Sequence, residues 1–237
     1  IIDLPYIAQY RVTAAAVECL HAAAGEQETA KRLQRGLPRA AQMLIQGIAP
    51  LHAAALQTPT GAVAIVGNSS TGKSTLAAAL SQRGLGVLAD DLTGLTLVDG
   101  SVMALPGYAG LTLWREAVSE LGFAFDRVQQ VAPDLQKFIV TPETPATTQP
   151  QPVRILVLLG VHNAPEIVSE AVTGMQKFRV VGNYMYNTRL VDAHVDRNQF
   201  FALSAAIAAT VPIWRVRRPR IGWTANQVAD IVEQLIR

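Results

Sequence analysis

The stretch Gly67-Asn68-Ser69-Ser70-Thr71-Gly72-Lys73-Ser74-Thr75 follows the apolar run Ala62-Val63-Ala64-Ile65-Val66 and leads into Leu76-Ala77-Ala78-Ala79-Leu80. This is G-x-x-x-x-G-K-[ST] set between a buried-strand pattern and a helical one, the context in which such a motif works. Glycines at 67 and 72 let the backbone turn tightly and approach an anion with no Cβ in the way. The loop N–H groups and the N-terminus of the following helix then point at a phosphate. Lys73 reaches the β and γ oxygens, and the Ser74 hydroxyl offers a ligand to Mg²⁺. Residues 67–75 thus imply a cradle for a nucleoside diphosphate or triphosphate.

The 237 residues suit one large α/β domain, or one domain with appendages, and can bury a core without staples. Cys19 is the single cysteine, which excludes an internal disulfide and a cysteine-based metal cluster and fits a reducing, cytoplasmic setting. Its expected place is a small core thiol on an Ala-rich helix. A net charge of +2 is too small to imply nucleic-acid binding by itself. The longest apolar stretch, Phe200 to Trp214, is broken by Ser204, Thr210 and Pro212, so no membrane span is expected. Arg215, Arg217, Arg218 and Arg220 form the one basic cluster, beside Trp214 and Trp223. Because Trp214 and Val216 alternate with Arg215 and Arg217, the cluster reads as the solvent face and end of a strand. The alternative is a phosphate or acidic-peptide contact, one place where an acidic or phosphorylated chain can dock.

Outward from the loop, the pattern predicts a helix-like stretch over Val12–Leu20 and a polar tract over Gly25–Arg35. A helix follows from Leu37 towards Ile48, with Pro38 suited to its first turn. Leu51–Leu56 is a strand candidate, and the turn at Gln57–Gly61 pairs it as a hairpin with the strand before the loop. Gly86–Ala89 is a buried strand running into Asp90-Asp91. Leu92–Val98 and Ser101–Leu105 flank an Asp99-Gly100 turn as a second hairpin. A helix is expected over Leu111–Leu121 and a flexible surface loop over Thr141–Pro152. Val153–Gly160 has the unbroken apolar character of a central strand. Helices at Met175–Arg189, Gln199–Thr210 and Ala225–Ile236, with a strand at Ile213–Val216, complete the chain. Residues 1–36 are read as an extension packed on or linked to a domain of residues 37–237.

Asp90 and Asp91 end the strand after the loop's helix, at the carboxyl edge beside the phosphates. Two adjacent carboxylates there suit two tasks: one holds Mg²⁺, the other accepts a proton from an attacking hydroxyl. Either residue fits either task on spacing alone. His52, between Leu51 and Ala53, is the second candidate. It faces the γ-phosphate if its strand lies beside the loop, or is a satisfied core histidine if not.

The combination Leu-His-Ala-Ala-Ala-Leu, then the loop, then Leu-Ala-Asp-Asp-Leu, then Leu-Pro-Gly resembles the C-terminal kinase domain of HPr kinase/phosphorylase and its shorter relatives. The likeness spans roughly residues 37–235 and is strongest from Leu51 to Trp114. It implies an α/β fold of the HPr kinase/phosphoenolpyruvate carboxykinase type, a P-loop kinase domain with a mixed twisted sheet flanked by helices. It also implies ATP with Mg²⁺ and phosphorylation of a Ser or Thr hydroxyl. Carried over, His52 is the active-site histidine, Asp90 the general base and Lys73 the phosphate-binding catalytic lysine. Ser74 and Asp91 form the metal side, and Lys137 is a further basic phosphate contact. The resemblance leaves room for a homo-oligomer.

The departures carry information too. The Glu-x-Arg-Gly-x-Gly signature of the bifunctional enzymes corresponds here to Ala104-Leu105-Pro106-Gly107-Tyr108-Ala109, without the glutamate and the arginine. That points away from phosphorolysis and towards the shorter relatives found beside peptide-modification genes, some of which phosphorylate a serine of a lasso-peptide precursor. The expectation is a kinase acting on a peptide or protein serine. A small-metabolite kinase, and a nucleotide-binding regulatory protein without transfer activity, are the alternatives.

Overall fold

The structure is a computed structural model, and it describes residues 1–186 and 197–237. The first strands, β1 (Ile2–Leu4), β2 (Ala8–Val12) and β3 (Val17–Ala22), form a small antiparallel sheet. In β2, Ala8 and Tyr10 are buried while Gln9 and Arg11 are exposed, and the Tyr10 hydroxyl donates to the Ala30 carbonyl at 2.7 Å. The helix expected over Val12–Leu20 is therefore not there. Thr13 and Ala16 close a turn on each other through Thr13 N–H to Ala16 O at 2.9 Å and Ala16 N–H to Thr13 Oγ1 at 3.1 Å. Such local side-chain bonds compete with helix, and β-branched Val12, Thr13 and Val17 add to the preference. Cys19 consequently lies exposed on β3 rather than in a helical core.

Two helices follow, α1 (Gln27–Gln34) and α2 (Leu37–Ile45), the second with Pro38 in its first turn. Strands β4 (Ala49–Leu51), β5 (Ala53–Thr58) and β6 (Gly61–Val66) precede α3 (Lys73–Gln82) and β7 (Val87–Ala89). The hairpin of β8 (Thr93–Val98) and β9 (Ser101–Leu105) turns at Asp99-Gly100, both residues at positive φ. Next come β10 (Leu111–Trp114), α4 (Arg115–Glu120), β11 (Gln129–Ala132) and β12 (Leu135–Val140), the three strands making a second small sheet. The single helix expected over Leu111–Leu121 is thus a strand and then a short helix. Leu111 and Leu113 are buried while Trp114 is exposed, a period of two that persists until Arg115.

The main sheet is mixed and has nine strands. Its centre is β13 (Gln151–His162), which is paired along one edge with β6 in parallel. Along its other edge β13 meets β9 antiparallel at Gln151 and Pro152, and then β15 (Ile213–Pro219) in parallel. Strand β14 (Val168–Val172) closes that side against β15, while β5 and then β7 extend the other. The further α-helices among the described residues are α5 (Met175–Asn183), α6 (Arg197–Thr210) and α7 (Ala225–Ile236). Residues 187–189 of the helix expected over Met175–Arg189 lie outside the described residues.

All six residues of β6 are buried, because both faces of the sheet are covered. On one face Val63 and Ile65 pack with Leu76 and Leu80 of α3 and with Val228 and Val232 of α7. On the other, Ala64 and Val66 pack with Val180 of α5 and with Leu203 and Ile207 of α6. Each fully buried Val, Leu or Ile contributes about 1.5–3 kcal/mol. Arg83 at the end of α3 adds a polar tie to α7 through Asp230 at 2.6 Å and Glu233 at 3.2 Å. The segment expected as a flexible loop over Thr141–Pro152 is docked rather than loose. Thr147 N–H donates to Gln57 Oε1 at 2.8 Å, and a Cβ on Gly86 would lie 2.8 Å from the Ala146 Cα. Among the described residues no helix is long and apolar enough to cross a membrane.

Candidate functional site

Pairing registers bring the site together. Strand β5 runs antiparallel to β6 with Ala53 opposite Val66, so His52 lies beside Gly67, where the loop begins. Strand β7 pairs with the other edge of β5, Ala89 opposite Ala55, so Asp90 and Asp91 emerge at the same edge. An antiparallel strand therefore stands between the loop strand and the acidic strand, while the two aspartates keep the expected place at the edge beside the loop. That strand is what carries His52 in. The expected strand Leu51–Leu56 is split at His52 for the same reason: β4 pairs with β8 and β5 with β6.

The turn from β6 to α3 is fixed by packing and by backbone conformation. A Cβ on Gly67 would fall 2.5 Å from the Leu159 carbonyl oxygen and 2.7 Å from Thr71 Oγ1, closer than any real Cβ approach. Gly72 at φ 103 and Ser70 at φ 65 are in the left-handed region, so the loop curls, and Thr71 N–H closes it onto the Asn68 carbonyl at 3.3 Å. Helix α3 has no side-chain cap, and among the described residues no acceptor meets the amides of Lys73, Ser74 and Thr75. The helix thus starts as an open anion site.

Lys73 is buried, and all three of its donors are engaged: Gly67 O at 2.9 Å, Asn68 O at 3.3 Å and His52 Nε2 at 3.1 Å. Burial lowers its pKa, opposed by the charges of Asp91 and Asp90. The other ring nitrogen of His52 stands 3.2 Å from Asp91 Oδ1 and 3.0 Å from the Asp91 carbonyl. Both partners are acceptors, so Nδ1 carries the proton and Nε2 is left to accept from Lys73. The Tyr186 ring meets the imidazole edge-on, its centroid 6.0 Å away.

The two aspartates differ in surroundings. Asp90 is 5% exposed, accepts from Ser74 Oγ at 3.0 Å and from the Thr112 amide at 3.3 Å, and has its pKa pushed up to about 6 by burial. Asp91 projects into the cleft at φ 68, with its pKa lowered chiefly by the His52 hydrogen bond. The expected grouping of Ser74 with Asp91 meets a different pairing here: Ser74 bonds Asp90, and Asp91 bonds His52. The reason is that Asp90 points inward from β7 to the first turn of α3, whereas the left-handed kink at Asp91 turns the next side chain towards β5.

Ser69, Ser70, Ser74 and Thr75 line the cleft with Gly72 and Lys73, while Asn68 and Thr71 brace the loop, Thr71 Oγ1 donating to Asn68 O at 2.9 Å. Lys137 lies on the cleft wall with its Nζ 4.5 Å from the Trp114 ring centroid, and its charge helps to hold Asp91 ionised. The cleft has a volume of about 1530 Å³.

Sequence reasoning placed Arg218 only within the basic cluster and did not foresee its bond to the loop. Arg215 and Arg217 pair with Glu170 at 2.9 and 3.5 Å, as a solvent face implies. Arg218 turns the other way, and its Nε donates to the Thr71 carbonyl at 3.1 Å, inside the loop. The signal was available: alternation sets residue 218 on the face of Trp214 and buried Val216, and a cation on an apolar face at a strand's carboxyl end needs a partner. Tyr108 and Thr112 were also missed. Asp90 N–H donates to the Tyr108 carbonyl at 2.8 Å, so the 106–110 segment runs against the end of β7.

No protein-family model matches this chain, and no curated protein sequence matches it. Among solved structures it is similar to the Hpr(Ser) kinase/phosphatase from Coxiella burnetii. The identity is 13%, the match covers 79% of this chain and 93% of that one, and the TM-score is 0.39. A likeness of that size leaves the chemistry to be read from the side chains themselves.

Hard oxygens suit Mg²⁺, and Ser74 Oγ with Asp90 Oδ1 provides two at the mouth of the loop. Among the described residues no group of three or more His, Cys, Asp or Glu side chains forms a full protein cage. Phosphate oxygens and water would complete the shell, which is the usual arrangement for Mg²⁺ with a nucleotide.

Proposed function

We propose that this protein is an ATP-dependent phosphotransferase that moves the γ-phosphoryl group to a hydroxyl, most simply a serine of a peptide or protein. The observation that carries the reading is the convergence of three strand ends on one uncapped helix. Lys73 and the α3 amides meet the phosphates, Ser74 with Asp90 forms a hard-oxygen pair, and Asp91 with His52 forms a separate acid–base pair.

On this reading the α3 amides and Lys73 bind the β- and γ-phosphates, Lys73 exchanging its carbonyl and His52 partners for phosphate oxygens. Ser74 and Asp90 would hold Mg²⁺, which when bound would neutralise charge on the phosphate oxygens. Asp91, ionised and open to the cleft, accepts the proton of the incoming hydroxyl while His52 Nδ1–H keeps its carboxylate oriented. The hydroxyl oxygen forms the new bond to the γ-phosphorus, the bond to the β–γ bridging oxygen breaks, and ADP leaves. This assigns the base to Asp91 and the metal side to Asp90. Arg218, bonded to the Thr71 carbonyl, holds the loop in its phosphate-facing curl. The cleft, at about 1530 Å³, has room for a nucleotide and a second substrate together.

The test is transfer and binding measured together. Asp91→Asn is expected to keep ATP affinity within a few-fold and to lower phosphorylation of serine peptides, read as the mass gain of one phosphate, by about 10²–10⁴. Asp90→Asn is expected to lose both transfer and Mg²⁺-dependent tightening of nucleotide binding. Equal phosphorylation by wild type and Asp91→Asn would remove Asp91 from the role of base.

A further inference from the structure

Beyond the reactive centre, the cleft continues along a wall of positive charge. Eight Lys and Arg side chains line it against three carboxylates, in a chain whose net charge is only +2. Lys73, Lys137, Arg218 and Arg220 belong to the loop side. The other four, Lys31, Arg32, Arg35 and Arg39, come from α1, its C-terminal cap and the first turn of α2. Lys31 is occupied by Glu28 at 2.7 Å. Among the described residues no carboxylate pairs with Arg32, Arg35 or Arg39, and Arg39 bonds only the neutral amide of Gln42.

This wall is joined to the site by two tyrosines. The Arg35 guanidinium sits 4.1 Å from the Tyr108 ring centroid, and the Tyr108 carbonyl is bonded to the Asp90 amide. The Tyr186 hydroxyl lies 3.1 Å from where a Cβ on Gly36 would be, and the Tyr186 ring meets His52. The wall therefore begins beside His52 and Asp91, whereas Arg218 is bonded to the loop at the Thr71 carbonyl. Arginines with no carboxylate partner among the described residues, leading to a carboxylate base, recruit a chain carrying carboxylates of its own, because like charge would otherwise hold an acidic acceptor away from Asp90 and Asp91.

We infer that Arg32, Arg35 and Arg39 form the docking wall for an acidic acceptor peptide, with Asp or Glu residues flanking the hydroxyl to be phosphorylated. This rests on the phosphotransferase reading for the fate of the peptide, but docking itself is measured without transfer. The probe is a fluorescein-labelled peptide with one Ser flanked by four Glu on each side, compared with peptides carrying Gln or Lys in place of Glu and with a single-stranded RNA of equal charge. Binding is followed by anisotropy at low salt, with ADP present.

The Glu peptide is expected to bind at least about tenfold tighter than the Gln peptide, with the preference fading as salt is raised. R32Q/R35Q/R39Q is expected to lose that preference, about tenfold in Kd, with ADP affinity unchanged. R32K/R35K/R39K, which keeps the charge, is expected to retain most of it and controls for folding. Equal binding of Glu and Gln peptides by wild type, or an undiminished preference in the Gln variant, would overturn the inference. So would tighter binding of the RNA than of the Glu peptide. Tight Glu-peptide binding without any phosphate transfer would instead leave the docking wall standing and remove the kinase reading.

Discussion

Asp90 is held against its own solvation, and removing its charge should stabilise the ligand-free protein at neutral pH. The carboxyl is 5% exposed, and burial raises its pKa from 3.8 to about 6, in spite of bonds from Ser74 and the Thr112 amide. Between about pH 4 and 6 the folded protein keeps a proton that the unfolded chain has released, so this group's contribution to stability falls as pH rises through that window. A shift of roughly two units corresponds to about 3 kcal/mol, fully in force above the folded-state pKa. An asparagine at 90 keeps both partners: its carbonyl accepts from Thr112 N–H, and its amide donates to Ser74 Oγ. Asp90→Asn should therefore exceed wild type in stability by an amount that grows by about 2 kcal/mol between pH 4.5 and 7.5, from the same pKa values. For a chain of this size that is roughly 4–8 °C in Tm. The assay is urea unfolding across that pH range, in chelator and without nucleotide. A difference that is flat with pH, or a variant less stable than wild type at pH 7.5, would refute the claim that Asp90 is a buried, strained carboxylate. Its retention at that cost is what a ligand-binding role explains, since binding groups are kept where stability alone would discard them.

Glycine substitutions test the loop geometry in two directions. Gly67→Ala should destabilise by about 1–3 kcal/mol, because its Cβ would fall 2.5 Å from a carbonyl oxygen of the central strand. Gly182→Ala, within α5 and with nothing among the described residues inside 4 Å of the new methyl, should stabilise by about 0.4–1 kcal/mol. Thermal unfolding of the two variants beside wild type checks both, and an unchanged Tm for Gly67→Ala would contradict the close packing of β6 against β13.

The loop was legible because its signal is local. Glycine placement, the lysine and the flanking strand and helix patterns lie within nineteen consecutive residues, 62–80, and the structure has β6 and α3 on either side of residues 67–72. The neighbourhood of the loop was legible only in outline. That His52 belongs beside Gly67 depends on β5 running antiparallel between β6 and β7, a sheet order that no local pattern encodes. Which aspartate faces Ser74 depends on the left-handed kink at Asp91, invisible in the spacing of two identical residues. The helix expected near Val12 failed because alanine-rich composition outweighed the Thr13–Ala16 turn in the reading, whereas the backbone followed the turn. Leu111–Leu121 failed because a strand of four residues shares its apolar positions with the helix that follows it. The inward turn of Arg218 went unread for the opposite reason: its three arginine neighbours masked the one that alternation turns inward.

The account stands on residues 67–75 holding phosphates, and one titration tests that directly. Isothermal calorimetry of wild type and Lys73→Met with ATP, each with and without Mg²⁺, measures it without requiring an acceptor. The expected result is binding by wild type that tightens with Mg²⁺ and weakens at least about tenfold in the variant, the loss of one buried charge-assisted contact. Absence of measurable ATP binding by the folded wild-type protein, or equal affinity in Lys73→Met, would contradict it.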